Sequence, residues 1–408
     1  MSSSSSTVLP LSSDAPAHAC WSGVFAMTLT AFALVASEFM PVSLLTPIAH
    51  DLGVSEGLAG QAISVSGTFA VLTSLSIARL AGRLPRKTLL LWLTALMLLS
   101  APVIAWAPNY PVYMAGRVLI GIAIGGFWSM SAAAAIRLVP PHKVGRALAI
   151  FNGGNALATV VAAPLGSYLG AVIGWRGAFL CLAPVALLAL LWQGASLPPM
   201  RPAARAQAAP HPLALLATPL VALGMAGASL LFMGQFTLFT YLRPFLENET
   251  RVQVQTLSLI LLLIGVAGFI GTMLIGRWLQ RSFYATLVFI PLLMAIIALA
   301  LVACGHHVLP VSLLLALWGL VTTAAPVGWW SWVARTLPEN AEAGGGLMVA
   351  LVQLAIGLGS TMGGLLFDHG GYQFSFFASA GVLLAAALLA ALTARQDRGH
   401  SVTKRTSP

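Results

Sequence analysis

Between Arg281 and Arg335 the chain carries no Asp, Glu, Lys or Arg. A transmembrane helix needs about 20 mostly apolar residues, so this stretch must hold two spans, divided at Gly305, His306, His307 and Pro310. The same reading along the whole chain places twelve spans near 21–46, 57–78, 88–107, 111–136, 147–170, 177–195, 213–245, 253–276, 283–304, 308–334, 343–367 and 371–394. Backbone groups in lipid must find partners within their own segment, which selects helices. The runs are too long and too uniformly apolar for barrel strands. The expected fold is an all-α membrane protein with twelve transmembrane helices.

Charge content agrees. Only 7% of the 408 residues are charged, against about 25% in a soluble domain, which excludes an ordinary soluble enzyme. The net charge of +10 does not indicate nucleic acid, because the basic residues sit in short loops rather than on one soluble face. Cys20, Cys181 and Cys304 lie far apart with no CxxC pair, and read as packing residues. Residues 1–20 form a Ser/Pro/Ala-rich tail without Lys or Arg, expected to be disordered. The run after it is longer than a secretory core and reads as an uncleaved first helix.

Lys and Arg in short loops set orientation. With the N-terminus inside, the cytoplasmic loops hold Arg79, Arg83, Arg86, Lys87, Arg137, Lys143, Arg146, Arg201, Arg205, Arg277, Arg281 and Arg335. The tail at 395–408 adds Arg395, Arg398, Lys404 and Arg405, which makes sixteen of the twenty basic residues. Outside loops would hold only Arg176 and Arg251. Both termini are expected in the cytoplasm. The segment 196–212, rich in Pro, Ala and Arg, reads as a flexible cytoplasmic linker between six-helix bundles at 21–195 and 213–394.

The two halves echo each other. Gly121, Arg137, Pro140, Asn155 and Gly166 fall opposite Gly319, Arg335, Pro338, Gln353 and Gly364, each 198 residues on, and GWRGAF from Gly174 falls opposite GYQFSF from Gly371 at 197. Each identity is weak, but the near-constant offset is better grounds. Paired repeats of this kind belong to transporters that bind a solute near mid-membrane between halves that rock.

The chain resembles the major facilitator superfamily, in particular its drug:proton antiporter branch. ARLAGRLPRK after the second span is a degenerate form of that family's loop signature: Arg83, Arg86 and Lys87 match, while Gly82 replaces an Asp and Pro85 a Gly. Arg117 with Gly121 and Gly125 matches the fourth-helix pattern, and NGGNALATVVAAPLGSYLG matches the antiporter motif, with Ala163-Pro164 at its Gly-Pro site. Within the branch, Glu38 to Gln61, Gly125 to Ala132, Arg137 to Pro141, Gly234 to Pro244 and Pro326 to Val333 are most similar to purine ribonucleoside exporters, which move inosine and guanosine. The resemblance implies two pseudo-symmetric six-helix bundles in the major facilitator fold, a multi-pass protein of the bacterial inner membrane, and proton-coupled efflux by a monomer without a cofactor. Sugar exporters of the branch share the first segment in part, so sugar or multidrug export is the alternative.

Nine of the ten acids lie in predicted tails or loops; Glu38 alone is inside a span. An ionisable group there costs about 2.5–3.5 kcal/mol on insertion scales and demands a partner, water or a proton. Glu38 reads as the proton-coupling carboxylate, or else as a packing Glu held by an Arg. Arg117 falls at similar depth and is its expected partner; the other reading ties it to a backbone carbonyl. Arg243, near the outer end of the seventh span, suits substrate contact, a gate or snorkelling. A nucleoside needs aromatic faces and neutral polar groups. The candidates are Gln235 with Phe239 on one helix face, Trp128, Asn152, Asn155, Trp329 and Gln353, beside Arg243. No GxxxxGK[ST], HExxH or GxSxG string is present, and no metal site or enzyme chemistry is expected. The expected partners are a small nucleoside, protons and the lipid bilayer.

Overall fold

The computed structural model describes residues 19–80, 84–200, 212–338 and 340–406. Its helices are α1 Trp21–Ser43, α2 Leu45–Leu52, α3 Glu56–Leu80, α4 Arg86–Ala105, α5 Tyr110–Arg137, α6 Val144–Leu180, α7 Leu182–Ser196, α8 Pro219–Phe239, α9 Leu242–Asn248, α10 Val254–Arg281, α11 Phe283–Cys304, α12 Val308–Thr336 and α13 Ala341–Thr406. Ten stretches among the described residues are apolar and long enough to cross a membrane, and two of them, Val144–Ser196 and Ala343–Arg398, have 53 and 56 residues.

Each of those two doubles back at a glycine. Gly174 has φ 75° and Gly371 φ 72°, a region that residues with a Cβ avoid. Contacts along α8 show the reversal. Gly359 lies against Met233 and Gly363 against Thr237, whereas Ser375 donates to the Thr237 carbonyl and Ser379 to that of Gly234. Counting both hairpins gives twelve crossings. The two glycines are 197 residues apart, so the repeat read from the sequence recurs in the backbone.

The break in the charge-free stretch falls where expected, between Cys304 and Val308. Pro310 lies in the first turn of α12, where a missing N–H removes no helical bond. The expected first and seventh spans are each interrupted. Leu44 separates α1 from α2, and Thr240-Tyr241 separates α8 from α9. Pro41 near the end of α1 removes an N–H from the last turn. Asp51 and Glu247, expected in loops, thereby stand on α2 and α9, and Glu56 and Asp368, also expected in loops, stand on α3 and α13. At the other end α13 continues as helix to Thr406, beyond 394. Gly82, Arg83, Arg201 and Arg205, and most of the linker, lie outside the described residues.

Apolar cores fill each half. Trp318, Met225, Met294 and Phe376 are buried in one cluster, and Met27, Leu34, Phe127 and Phe151 in another. Trp92, Trp106, Met273 and Leu309 are exposed, as side chains facing lipid would be. Interior contacts between helices use small residues, since lipid gives no hydrophobic drive to association.

Candidate functional site

The site begins with the local sequence Ser37-Glu38-Phe39-Met40-Pro41. Pro41 has no N–H to give the carbonyl of Ser37 four residues back, and an orphaned carbonyl in lipid costs several kcal/mol. Arg117 of α5 fills the gap. Its guanidinium donates to Ser37 O at 2.7 Å, Glu38 O at 3.0 Å, Ala62 O at 3.1 Å and Ser66 Oγ at 3.0 Å. Arg117 is fully buried. It thus ties α1, α3 and α5 together through backbone carbonyls, and does not pair with the Glu38 carboxylate as expected. The two residues do share a depth, since Arg117 bonds Glu38's own carbonyl.

The Glu38 carboxylate points the other way. Its Oε1 accepts from Gln353 Nε2 at 3.1 Å, across 315 residues of chain, and both side chains are buried. No ion pair to Glu38 occurs among the described residues. Gln353, expected to hold solute, is therefore engaged by the acid. Phe39 stacks on Phe236 with centroids 5.6 Å apart, and Phe236 meets Phe239 edge-on at 6.0 Å. Val42, Ile63, Val352 and Ile356 complete this apolar cluster around the bond. Gln235 is half-buried, one turn from Phe239, and its Oε1 has no partner.

Arg243 also departs from expectation. Its Nη2 is 2.8 Å from Glu247 Oε1, and its Nη1 donates to the carbonyl of Ser43 at the end of α1. Helix ends leave such carbonyls unpaired, so Arg243 caps α1 from the opposite half instead of facing a solute. Trp329 of α12 is 1% exposed and packs against α8 over Gly227, where no Cβ obstructs its ring. It belongs to the core of the second half and does not face the space between halves. Trp128 is half-buried against Phe127 and Phe151, with Asn152 exposed and Asn155 half-buried nearby on α6. Gly154 on α6 meets Thr28 of α1, ten residues before Glu38. At 1.5 Å per residue this group lies about 15 Å from the acid along α1. The expected set therefore splits into an inner group at Trp128 and Asn152, and an upper group at Glu38, Gln353, Phe239 and Gln235.

Above the acid the halves are zipped. Gly57, Gly60, Ser64 and Gly67 of α3 run antiparallel to Gln353, Gly357, Ser360 and Gly364 of α13. A Cβ on Gly67 would lie 3.0 Å from Gln353 O, and one on Gly57 2.6 Å from Gly364 O. Ser64 donates to Gly357 O at 2.7 Å, Ser360 to Gly60 O at 3.0 Å, and Tyr241 to Ser360 O at 2.8 Å. Asp368 closes the top, accepting from Gly57 N at 2.9 Å and from Ser55 Oγ. Sequence reasoning missed this zipper, although small residues at steps of three and four on both helices were there to find. At the other end a Cβ on Gly153 or Gly346 would meet no atom of another element within 4 Å among the described residues. The molecule is closed at the α2/α9 end and open at the end where α1 begins. Two clefts of about 470 and 390 Å³, at Arg277–Arg281 and at Tyr284 with Arg395, touch none of these residues.

The family model described as the Major Facilitator Superfamily matches residues 27–355. This chain belongs to the major facilitator superfamily. It is a multi-pass membrane transporter and not an enzyme. A Pseudomonas aeruginosa protein named transcription regulatory protein OpdE is 66% identical over 92% of this chain and 94% of its own. The purine ribonucleoside efflux pump NepI of Salmonella paratyphi B is 38% identical over 94% and 96%. Among solved superfamily structures, a bacterial homologue of the lysosomal transporter Spinster, inward-facing and unoccupied, superposes with TM-score 0.76 at 16% identity, over 92% of this chain and 97% of that one. A D-xylose–proton symporter gives 0.72 at 17%, over 91% and 97%.

Proposed function

We propose that this transporter exports purine ribonucleosides such as inosine and guanosine in exchange for protons, as a monomer in the bacterial inner membrane. Its halves, 21–195 and 213–394, rock about the space between them, with both termini and the linker 196–212 in the cytoplasm. The open end then faces the cytoplasm, where the solute is loaded. The observation that carries this reading is the position of Glu38: the one acid set deep in the spans sits at the lower edge of the zipper, where the halves part. Arg cannot usefully release a proton, so the carboxylate is the carrier. The relative named as a ribonucleoside pump supports the substrate class. Phe236, Phe239 and Gln235 supply ring faces and an unpaired amide oxygen suited to a purine and its ribose. Asn152, Asn155 and Trp128 line the route in from the open end.

A tenfold proton gradient supplies about 1.4 kcal/mol, and a membrane potential of 100 mV about 2.3 kcal/mol per charge moved. Together they suffice to drive a neutral solute outward. The name of the 66% identical relative fits this reading if moving a small effector changes transcription indirectly.

The test uses everted membrane vesicles bearing the full chain with an acid lumen. Labelled inosine should accumulate in the lumen while protons leave. Glu38→Gln should abolish gradient-driven uptake and leave inosine exchange intact. Uptake of arabinose or ethidium in place of inosine would reassign the substrate, and unaltered coupling in Glu38→Gln would remove the carboxylate from the mechanism.

A further inference from the structure

An exchanger must not change conformation while empty and deprotonated, because each such cycle lets a proton through without solute. Something has to hold the empty carrier closed at one end. The charged and titratable groups near Glu38 are Arg117, bonded to its carbonyl, Tyr113 one turn earlier on α5, and the Arg243–Glu247 pair above. The parts of α3, α8 and α13 around it, residues 57–77, 219–239 and 343–367, contain no charged residue. Gln353 is the group that reaches the carboxylate from the other half.

We infer that Gln353 is a positioning residue that locks the empty, deprotonated carrier by bonding Glu38 across the two halves. The inference rests on reading Glu38 as the proton carrier. Three features support it. The bond is the lowest of the cross-half contacts that continue upward through Ser64–Gly357 and Ser360–Gly60. The Gln353 backbone is seated against Gly67 across the interface, which fixes the point from which the side chain reaches Glu38. An amide N–H to an ionised carboxylate is charge-assisted and about twice as strong as a neutral bond. A neutral Glu38 can still accept from the Gln353 N–H, but without the charge assistance, so the tie is weaker. Loading therefore requires a solute donor group to replace the Gln353 N–H before the halves separate. That replacement links solute occupancy to release of the lock.

Proteoliposomes holding the full chain and a lumenal pH dye test this. The wild type should be proton-tight without solute and pass protons once inosine is added. Gln353→Met, similar in length but without the amide, should raise the inosine-independent proton flux at least tenfold. Glu38→Gln combined with Gln353→Met should abolish that leak, a result that loosened packing would not give. A proton-tight Gln353→Met with normal inosine-driven flux would overturn the lock. If Gln353→Met does not reach the membrane, Gln353→Asn decides: its amide is one methylene short, so an intermediate leak supports the lock and wild-type tightness overturns it. Inosine-driven proton flux surviving in Glu38→Gln alone would instead remove the proton-carrier reading beneath it.

Discussion

The two ends of the interface between the halves are built differently. At the α2/α9 end, backbone meets backbone: Gly57 against Gly364, Gly67 against Gln353, with hydroxyls bonding across. At the end where α1 begins, Gly153 and Gly346 face open space. Each hydrogen bond in the closed end adds only about 1 kcal/mol net, so closure there is a sum of small terms that a proton or a solute can tip. The glycines make this possible, because close approach forms a large fitted surface without strong individual bonds.

The sharpest way to break the closed end is to remove what holds α1 in place. Arg117→Met leaves the Ser37 carbonyl without the N–H that Pro41 cannot supply. One buried orphan costs about 1–3 kcal/mol, and four bonds are lost. Loss of about 3 kcal/mol or more is expected, read as a large drop in folded yield and Tm in detergent. Arg117→Lys, which can serve only part of the acceptor set, should fall between.

Next comes a paired substitution that opposes the two ends directly. Gly57→Ala puts a Cβ 2.3 Å from Asp368 Oδ2 and 2.6 Å from Gly364 O, where the backbone cannot yield. Overpacking of this kind costs about 1–3 kcal/mol, borne only by the closed form. Gln61, half-buried beside the zipper, serves as the reporter: in the Gly57→Ala background, labelling of Gln61→Cys from outside should speed up about tenfold. Gly346→Ala meets nothing and should leave labelling unchanged, while favouring the helix by up to about 1 kcal/mol. Equal effects from the two would mean that the ends are not distinguished by packing.

A smaller effect is expected at the top of the zipper. Asp368→Ala removes the acceptor for Gly57 N and Ser55 Oγ. Because the group is exposed, the loss is about 1 kcal/mol, a few-fold rise in the same labelling rate.

These contacts also mark how far the sequence was legible. Spans, the break at Gly305–His307, the repeat offset and the isolation of Glu38 all follow from where charge is absent, a property of composition along one dimension. The partners of Glu38 and Arg117 do not, because they depend on which face each helix turns inward. For Arg117 the sequence leaves two readings, a carboxylate or a backbone carbonyl, and the carbonyl that Pro41 orphans at Ser37 decides for the second. Trp329 was counted as a ligand face because tryptophan in a span suits either a core or a cavity, and Gly227 decided for the core. Gln353 was singled out by its polarity, yet its role came only from meeting Glu38 across the halves.

The least effect is expected outside the spans, where the closed end meets water. Asp51 of α2 accepts from Arg176 and, at 3.1 Å, from Trp175 Nε1, while Arg176 also bonds Ala107 O at 2.9 Å. The hydrogen bond from Arg176 holds the Asp51 carboxyl below its ordinary range. A carboxyl lowered in the folded state stabilises above its unfolded value, about 3.9, and that contribution fades as pH falls through the lower folded value. The two side chains are 37% and 45% exposed, so screening limits the pair to under about 1 kcal/mol. Asp51→Asn should therefore lower Tm by roughly a degree at pH 7, with the difference from wild type shrinking as pH falls through and below the unfolded value of about 3.9. A gap that persisted at low pH would assign the stabilisation to shape and not to charge. A gap several times larger would mean that this rim contact is a main anchor of α2 within its own half.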